Sequence, residues 1–137
     1  MPSLTRRVSF TAIHRYWRSD WSDEENEQRF GAATVPHAHD YACDVTVSGP
    51  IDEETGMLVD LGVLDAALER EVRSRFHDKS INVQVPEFGD GKLIPTCETL
   101  ARFIFERLAP SFTGPARLTG VVVREDETIS AEFTGAR

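Results

Sequence analysis

The chain has 137 residues, 40% hydrophobic and 28% charged, the size and balance of one globular unit with enough apolar surface for a core. A formal net charge of −8 and the lack of a basic stripe argue against nucleic acid or an acidic membrane as partner, while leaving small anionic metabolites open. No apolar run approaches the ~20 residues that cross a bilayer, and Met1 to Arg7 lacks a signal-peptide pattern. The cysteines, Cys43 and Cys97, are too few for a disulfide scaffold or a thiolate metal site, so a cytoplasmic protein with reduced thiols is expected.

In chain order, Val8 to His14 is rich in β-formers, and Val8, Phe10, Ala12 and His14 share one strand face because side chains alternate with period two. Ser22-Asp23-Glu24-Glu25 reads as a capping box opening a short helix to about Phe30. A second strand runs from His37 to about Gly49, with His37, His39, Tyr41, Cys43, Val45 and Val47 on one face. Asp60 is placed to cap a helix reaching Phe76, with Leu61, Leu64, Leu68, Val72 and Phe76 as its apolar stripe. A polar loop containing Pro86 and Gly89-Asp90-Gly91 leads to Thr96. That residue caps a second main helix, which buries Leu100, Phe103, Ile104 and Leu108 and stops at Pro110. Strands near Ala116–Glu125 and Thr128–Thr134 close the chain as a hairpin. The order β-β-α-α-β-β predicts an α+β fold: a four-stranded antiparallel sheet with two main helices on one face, in one domain spanning residues 1–137.

The chemistry-bearing triplet is His37-Ala38-His39. Residues two apart on a strand share a face, so both imidazoles converge, and His14 on a neighbouring strand supplies a third. Neutral imidazole suits zinc, and three protein ligands leave a position open, the usual arrangement of a catalytic zinc site. The fourth histidine lies in His77-Asp78-Lys79. Beside a carboxylate it is suited to acid–base work near neutral pH; equally, a His and a Lys at a helix C-terminus complement the helix dipole.

Together these residues resemble the 6-pyruvoyl-tetrahydropterin synthase family. The resemblance is carried by Phe10-Thr11-Ala12-Ile13-His14-Arg15, Ser22-Asp23-Glu24-Glu25-Asn26 and His37-Ala38-His39-Asp40-Tyr41. It continues through Ile51-Asp52, Thr55-Gly56-Met57, Pro95-Thr96-Cys97-Glu98 and Val121 to Glu125, covering nearly the whole chain in order. The 6-carboxy-tetrahydropterin synthases of queuosine synthesis share the pattern. The resemblance implies zinc on His14, His37 and His39, and a pterin whose guanidine-like edge is held by Glu125, since a carboxylate accepts two parallel hydrogen bonds. It also implies pterin contacts at Thr96, Cys97 and Glu98, where a helix start offers free N–H groups. Read from the residues alone, Glu125 is a turn carboxylate, and Thr96 and Glu98 are capping residues. The implied fold is the tunnelling type, in which sheets join edge to edge into a barrel as a trimer or a dimer of trimers, with sites between subunits. Glu125 and Thr96 are then expected to serve a neighbouring chain's zinc.

Two positions depart from that family pattern. Its members carry a cysteine before the His-x-His pair that acts as a general base; the matching position here is Ala33, whose methyl accepts no proton. Cys43 lies four residues beyond His39, roughly 13 Å along the strand, and reads as a small buried hydrophobe. The family's Asp-then-His pair is reversed as His77-Asp78. A zinc-dependent lyase acting on dihydroneopterin triphosphate or a related pterin is the leading expectation, with a catalytically silent zinc- and pterin-binding paralogue as the alternative.

Overall fold

The computed structural model describes residues 1–135; residues 136–137 of the expected 1–137 unit lie outside the described residues. Strand β1 (Ser3–His14) is followed by helix α1 (Asp23–Phe30) and strand β2 (His37–Ser48). A helical rod then runs without a break through α2 (Leu61–Leu68), a π-helical stretch (Glu69–Arg73) and α3 (Ser74–Phe76). Next come β3 (Lys79–Ser80), α4 (Ile81–Gln84), the long helix α5 (Cys97–Leu108), and the hairpin β4 (Arg117–Arg124) and β5 (Ser130–Phe133).

The sheet has five strands in the order β3-β1-β2-β4-β5. The expected four antiparallel strands are present, but β3 adds a short edge strand parallel to β1, pairing Ala12 with Lys79 and Ile13 with Ser80. The sheet is therefore mixed. Two residues have no period of their own; β3 is a strand only because the chain leaving α3 runs beside β1.

Antiparallel pairing of β1 with β2 extends over the full length of both, from Ser3↔Ser48 to His14↔His37. The first strand thus begins five residues before Val8, because Thr5 and Arg7 find partners across the sheet. Thr5 Oγ1 meets Thr46 Oγ1 at 2.7 Å, and the Arg7 guanidinium forks onto Asp44 at 2.7 and 3.0 Å. The opposite face carries the core. Phe10, Ala12, Tyr41, Cys43, Val45 and Val47 are buried there under Leu64, Leu68, Val72, Phe76, Leu100, Ile104 and Leu108. Burying side chains of this size contributes roughly 1.5–3 kcal/mol each before conformational entropy is subtracted.

In the helical rod Leu61 departs from the expected stripe and is 42% exposed, whereas Leu64, Leu68, Val72 and Phe76 are buried. A strict four-residue spacing drifts around an ordinary α-helix of 3.6 residues per turn. The wider turn at Glu69–Arg73 compensates for the drift and keeps Val72 and Phe76 on the core side. Both expected N-caps hold: Asp60 accepts from the N–H groups of Gly62 and Val63, and Thr96 from that of Thr99. Ser22 caps α1 by accepting from Glu25 N–H, but the Glu25 carboxylate leans toward Arg29 at 3.7 Å, so the reciprocal half of the capping box is replaced by an i,i+4 pair.

A β-bulge sets the face that the end of β4 presents. Leu118 pairs with Val47, yet Gly120 pairs with Thr46, which leaves Thr119 as the extra residue. Beyond the bulge Val121 and Val123 share the core face with Val45 and Cys43. Glu125, two residues further on, is buried on that face.

Candidate metal and substrate site

The ends of β1 and β2 carry the histidines. Because His14 pairs with His37 and Ala12 with His39, the three rings cluster at one corner of the core face, with centroids 4.6, 4.9 and 5.0 Å apart. His14, His37 and His39 each offer a nitrogen, and these atoms lie within 4.8 Å of one another.

Hydrogen bonds behind the rings set which nitrogen faces inward. His14 Nδ1 donates to the Pro95 carbonyl at 2.8 Å, and the Tyr41 hydroxyl oxygen stands 3.0 Å from the same nitrogen. His37 Nδ1 donates to the Val35 carbonyl at 2.7 Å. A carbonyl oxygen accepts only, so both Nδ1 atoms carry a proton, and it is Nε2 of each ring that faces the other histidines. Those two Nε2 atoms are 3.0 Å apart. Burial pushes the His14 pKa down to about 4, with the Pro95 hydrogen bond opposing and His37 and His39 adding to the fall, so this ring is neutral at physiological pH. Ring nitrogens converging in this way suit a divalent cation, and outer-shell partners of this kind orient imidazole ligands. The donor set, three imidazole nitrogens, matches zinc chemistry.

Glu125 completes the corner. Its Oε1 lies 3.3 Å from His14 Nε2 and 3.7 Å from His39 Nε2. It therefore stands at the histidines of its own chain, within the same sheet, rather than only reaching toward a neighbour. Both Glu125 Oε1 and His39 Nε2 are buried without a hydrogen-bond partner among the described residues, the signature of groups that await an ion or a ligand. Tyr16 packs its ring edge on His14 at 5.3 Å. Burial first, and then the charge of Glu125, raises its pKa, which keeps the phenol protonated.

The remaining expected site residues are distributed around this corner. Thr96 is half-buried; its hydroxyl accepts from Thr99 N–H at 3.1 Å and donates to Thr99 Oγ1 at 2.9 Å. Cys97 is buried, and its thiol points at the Val123 carbonyl, 3.1 Å away. Its side chain belongs to the core. Glu98 is exposed at the first turn of α5. Cys43 is fully buried, and burial pushes its thiol up to about 12, consistent with a packing role. Ala33 sits in a short 3₁₀ turn (Gly31–Thr34), and its carbonyl accepts from Tyr16 N–H at 2.8 Å, which draws that turn against the end of β1.

His77 and Asp78 lie elsewhere. His77 Nδ1 accepts from Thr11 N–H at 3.1 Å, and Asp78 N–H donates to Thr11 O at 2.7 Å, so the pair straddles the β1 edge that faces β3. Asp78 adopts a left-handed backbone, φ 59°, and its Oδ2 is 3.4 Å from His77 Nε2. The pair is ordered, but it is attached to the sheet edge and not to the histidine corner. Three residues escaped the sequence reading: Pro95 and Tyr41, which hold His14, and Tyr16. Tyr41 shares strand parity with His37 and His39, the one signal that pointed to it.

Fold and site together define an α+β protein with a partly buried three-histidine corner at the end of two long antiparallel strands. The family profile of 6-pyruvoyl tetrahydropterin synthase matches residues 3–136. The human 6-pyruvoyl tetrahydrobiopterin synthase is 37% identical over 107 residues, 77% of this chain and 72% of the human protein. The Drosophila melanogaster protein of the same name is 34% identical over 124 residues, covering 89% and 73%. The solved structure of Caenorhabditis elegans 6-pyruvoyl tetrahydropterin synthase superposes with a TM-score of 0.89 at 28% identity, over 99% of this chain and 98% of that one. An uncharacterized protein of Wolinella succinogenes shares the fold at 13% identity, with a TM-score of 0.74 over 98% of each chain. The chain belongs to the 6-pyruvoyl tetrahydropterin synthase family.

Proposed function

We propose that this protein is a zinc-dependent lyase of the pterin-synthase type, acting on 7,8-dihydroneopterin triphosphate or a closely related pterin. Family membership supports the pterin-synthase function. The observation that carries the zinc reading is the convergence of His14, His37 and His39 within 4.8 Å, two of them with their Nδ1 protons already committed to carbonyls. A bound zinc ion supplies Lewis acidity, which polarises a substrate side-chain oxygen and acidifies the neighbouring C–H.

The chain's own residues do the rest. Glu125 accepts the paired N–H groups of the pterin's guanidine-like edge. Free N–H groups of Cys97 and Glu98 at the start of α5, with Thr96, contact the ring. Buried Tyr41 and half-buried Tyr16 shield the His14 side from water. His77 and Asp78 handle protons only if a neighbouring subunit brings its β1 edge to the site, which makes assembly into a trimer or a dimer of trimers part of the proposal. The ordered unit spanning the chain is read as one pterin-synthase-like domain.

A specific observation favours a second reading. Ala33 stands where the family base is expected, and the buried Cys43 thiol does not replace it; a silent zinc- and pterin-binding paralogue is consistent with that gap. Incubating zinc-loaded protein with dihydroneopterin triphosphate separates the two. Triphosphate release with a new pterin supports the lyase, whereas tight binding without turnover supports the silent paralogue.

A further inference from the structure

We infer that the Tyr41 hydroxyl is a positioning group for the metal site: it shares the Nδ1 proton of His14 with the Pro95 carbonyl and so fixes that ring. The inference rests on the zinc reading above and extends it, from which rings hold the ion to what holds the rings. Tyr41 lies on β2 two residues beyond His39, and Cys43, Val45 and Val47 follow it on the same buried face. Its ring stacks on Phe10 with centroids 4.9 Å apart and 16° between the planes, and it meets the His14 ring edge-on at 5.9 Å.

A phenylalanine would serve that packing equally well. Tyr41 is 1% exposed, and a hydroxyl carried so deep is destabilising unless it finds a partner. Its one hydrogen-bond partner among the described residues is His14 Nδ1, at 3.0 Å. The proton on that nitrogen already has an acceptor in the Pro95 carbonyl at 2.8 Å, so the phenol is not needed to satisfy it. What the second oxygen adds is direction. An N–H held by a single carbonyl can swing about it; forked between β2 and the segment before α5, it sets the plane of the ring as well as its tilt. Two oxygens at Nδ1 also make the opposite nitrogen a stronger donor to a cation.

Support is graded across the trio. His14 has two oxygens behind it, and His37 has the Val35 carbonyl at 2.7 Å, whereas His39 Nε2 is buried without a partner. His14 is therefore the preset member, oriented by the core before an ion arrives, and the least supported ring is the one that closes on the ion.

The test uses full-length Tyr41→Phe, which keeps the stacked ring and removes one oxygen. Zn(II) affinity in chelator competition is expected to fall at least tenfold, and the visible spectrum of the Co(II)-loaded protein to shift, while the metal-free variant melts as the wild type does. A second measurement needs no metal: the His14 Nδ1 proton of the wild type should give a slowly exchanging ring N–H resonance in nitrogen-edited NMR, displaced in the variant. Wild-type affinity in Tyr41→Phe, or an Nδ1 resonance that the substitution leaves in place, overturns the inference while leaving the three-histidine site standing. So does a weaker affinity that merely accompanies a lower melting temperature of the metal-free chain, the mark of a packing role alone. A wild-type chain that takes up neither Zn(II) nor Co(II) overturns the zinc reading and this inference with it.

Discussion

At the scale of the residue, the proposed reaction turns most on Ala33, where the family resemblance leads to the expectation of a cysteine. The Ala33 carbonyl pins the turn to Tyr16 N–H, which fixes the backbone on which the proposed reading would place a thiol. Ala33→Cys is expected to raise pyruvoyl-forming turnover by at least tenfold over the wild type, measured by product analysis with dihydroneopterin triphosphate; no gain in a folded, zinc-loaded variant counts against this placement. The three histidines were legible because strand parity and the shared face of residues two apart are visible in one dimension. Their supports were not: the Pro95 carbonyl reaches His14 from 81 positions away, and no local pattern announces a carbonyl. Asp44 illustrates the polar face. Hydrogen bonding from Arg7, aided by Arg124 and opposed by burial, holds its carboxyl below the usual range. A depressed folded pKa means that the stabilisation is full above the unfolded value of ~3.9 and is lost as pH falls through the lower folded one. Asp44→Asn should therefore lower the melting temperature at pH 7, and the gap to the wild type should narrow below about pH 4; a gap independent of pH would remove the ion pair from the account.

Among the elements, the bulge in β4 does what no single side chain does. Were Thr119 paired with Thr46 instead of left out of the ladder, Val121, Val123 and Glu125 would turn to the opposite face. Inserting one alanine between Gly120 and Val121 is thus expected to abolish the cooperative unfolding transition, whereas Thr119→Ala, which leaves the register unchanged, should change stability by no more than about 0.5 kcal/mol. Circular dichroism melts of the two variants decide the point. The main helices were readable from their caps and apolar spacing, and the closing hairpin from two β-rich runs set close together. The bulge, the two-residue strand β3 and the π-helical stretch were not, because each is imposed by the partner it packs against. The alternating Ser3, Thr5 and Arg7 escaped for the same reason: their partners Ser48, Thr46 and Asp44 lie across the sheet.

For the whole molecule, the sheet covers only one of its faces with helices. The other carries Arg7, Asp44 and Arg124 in one ion network, and Thr11 bonded to Asp40 at 2.7 Å. Its outer strands are short, β3 on one side and β5 on the other, as suits edges that join copies of the chain. Light scattering should give three or six times the chain mass; a monomer at micromolar concentration would leave His77 and Asp78 without a site to serve. The proposed metal site stands beneath all of this. Its most direct test is elemental analysis of protein purified from zinc-supplemented medium and dialysed against metal-free buffer, beside His14→Ala and His39→Ala chains. One zinc per wild-type chain, with the variants nearly empty, is the expected result; a wild type without zinc, or variants that hold it equally well, would contradict the account.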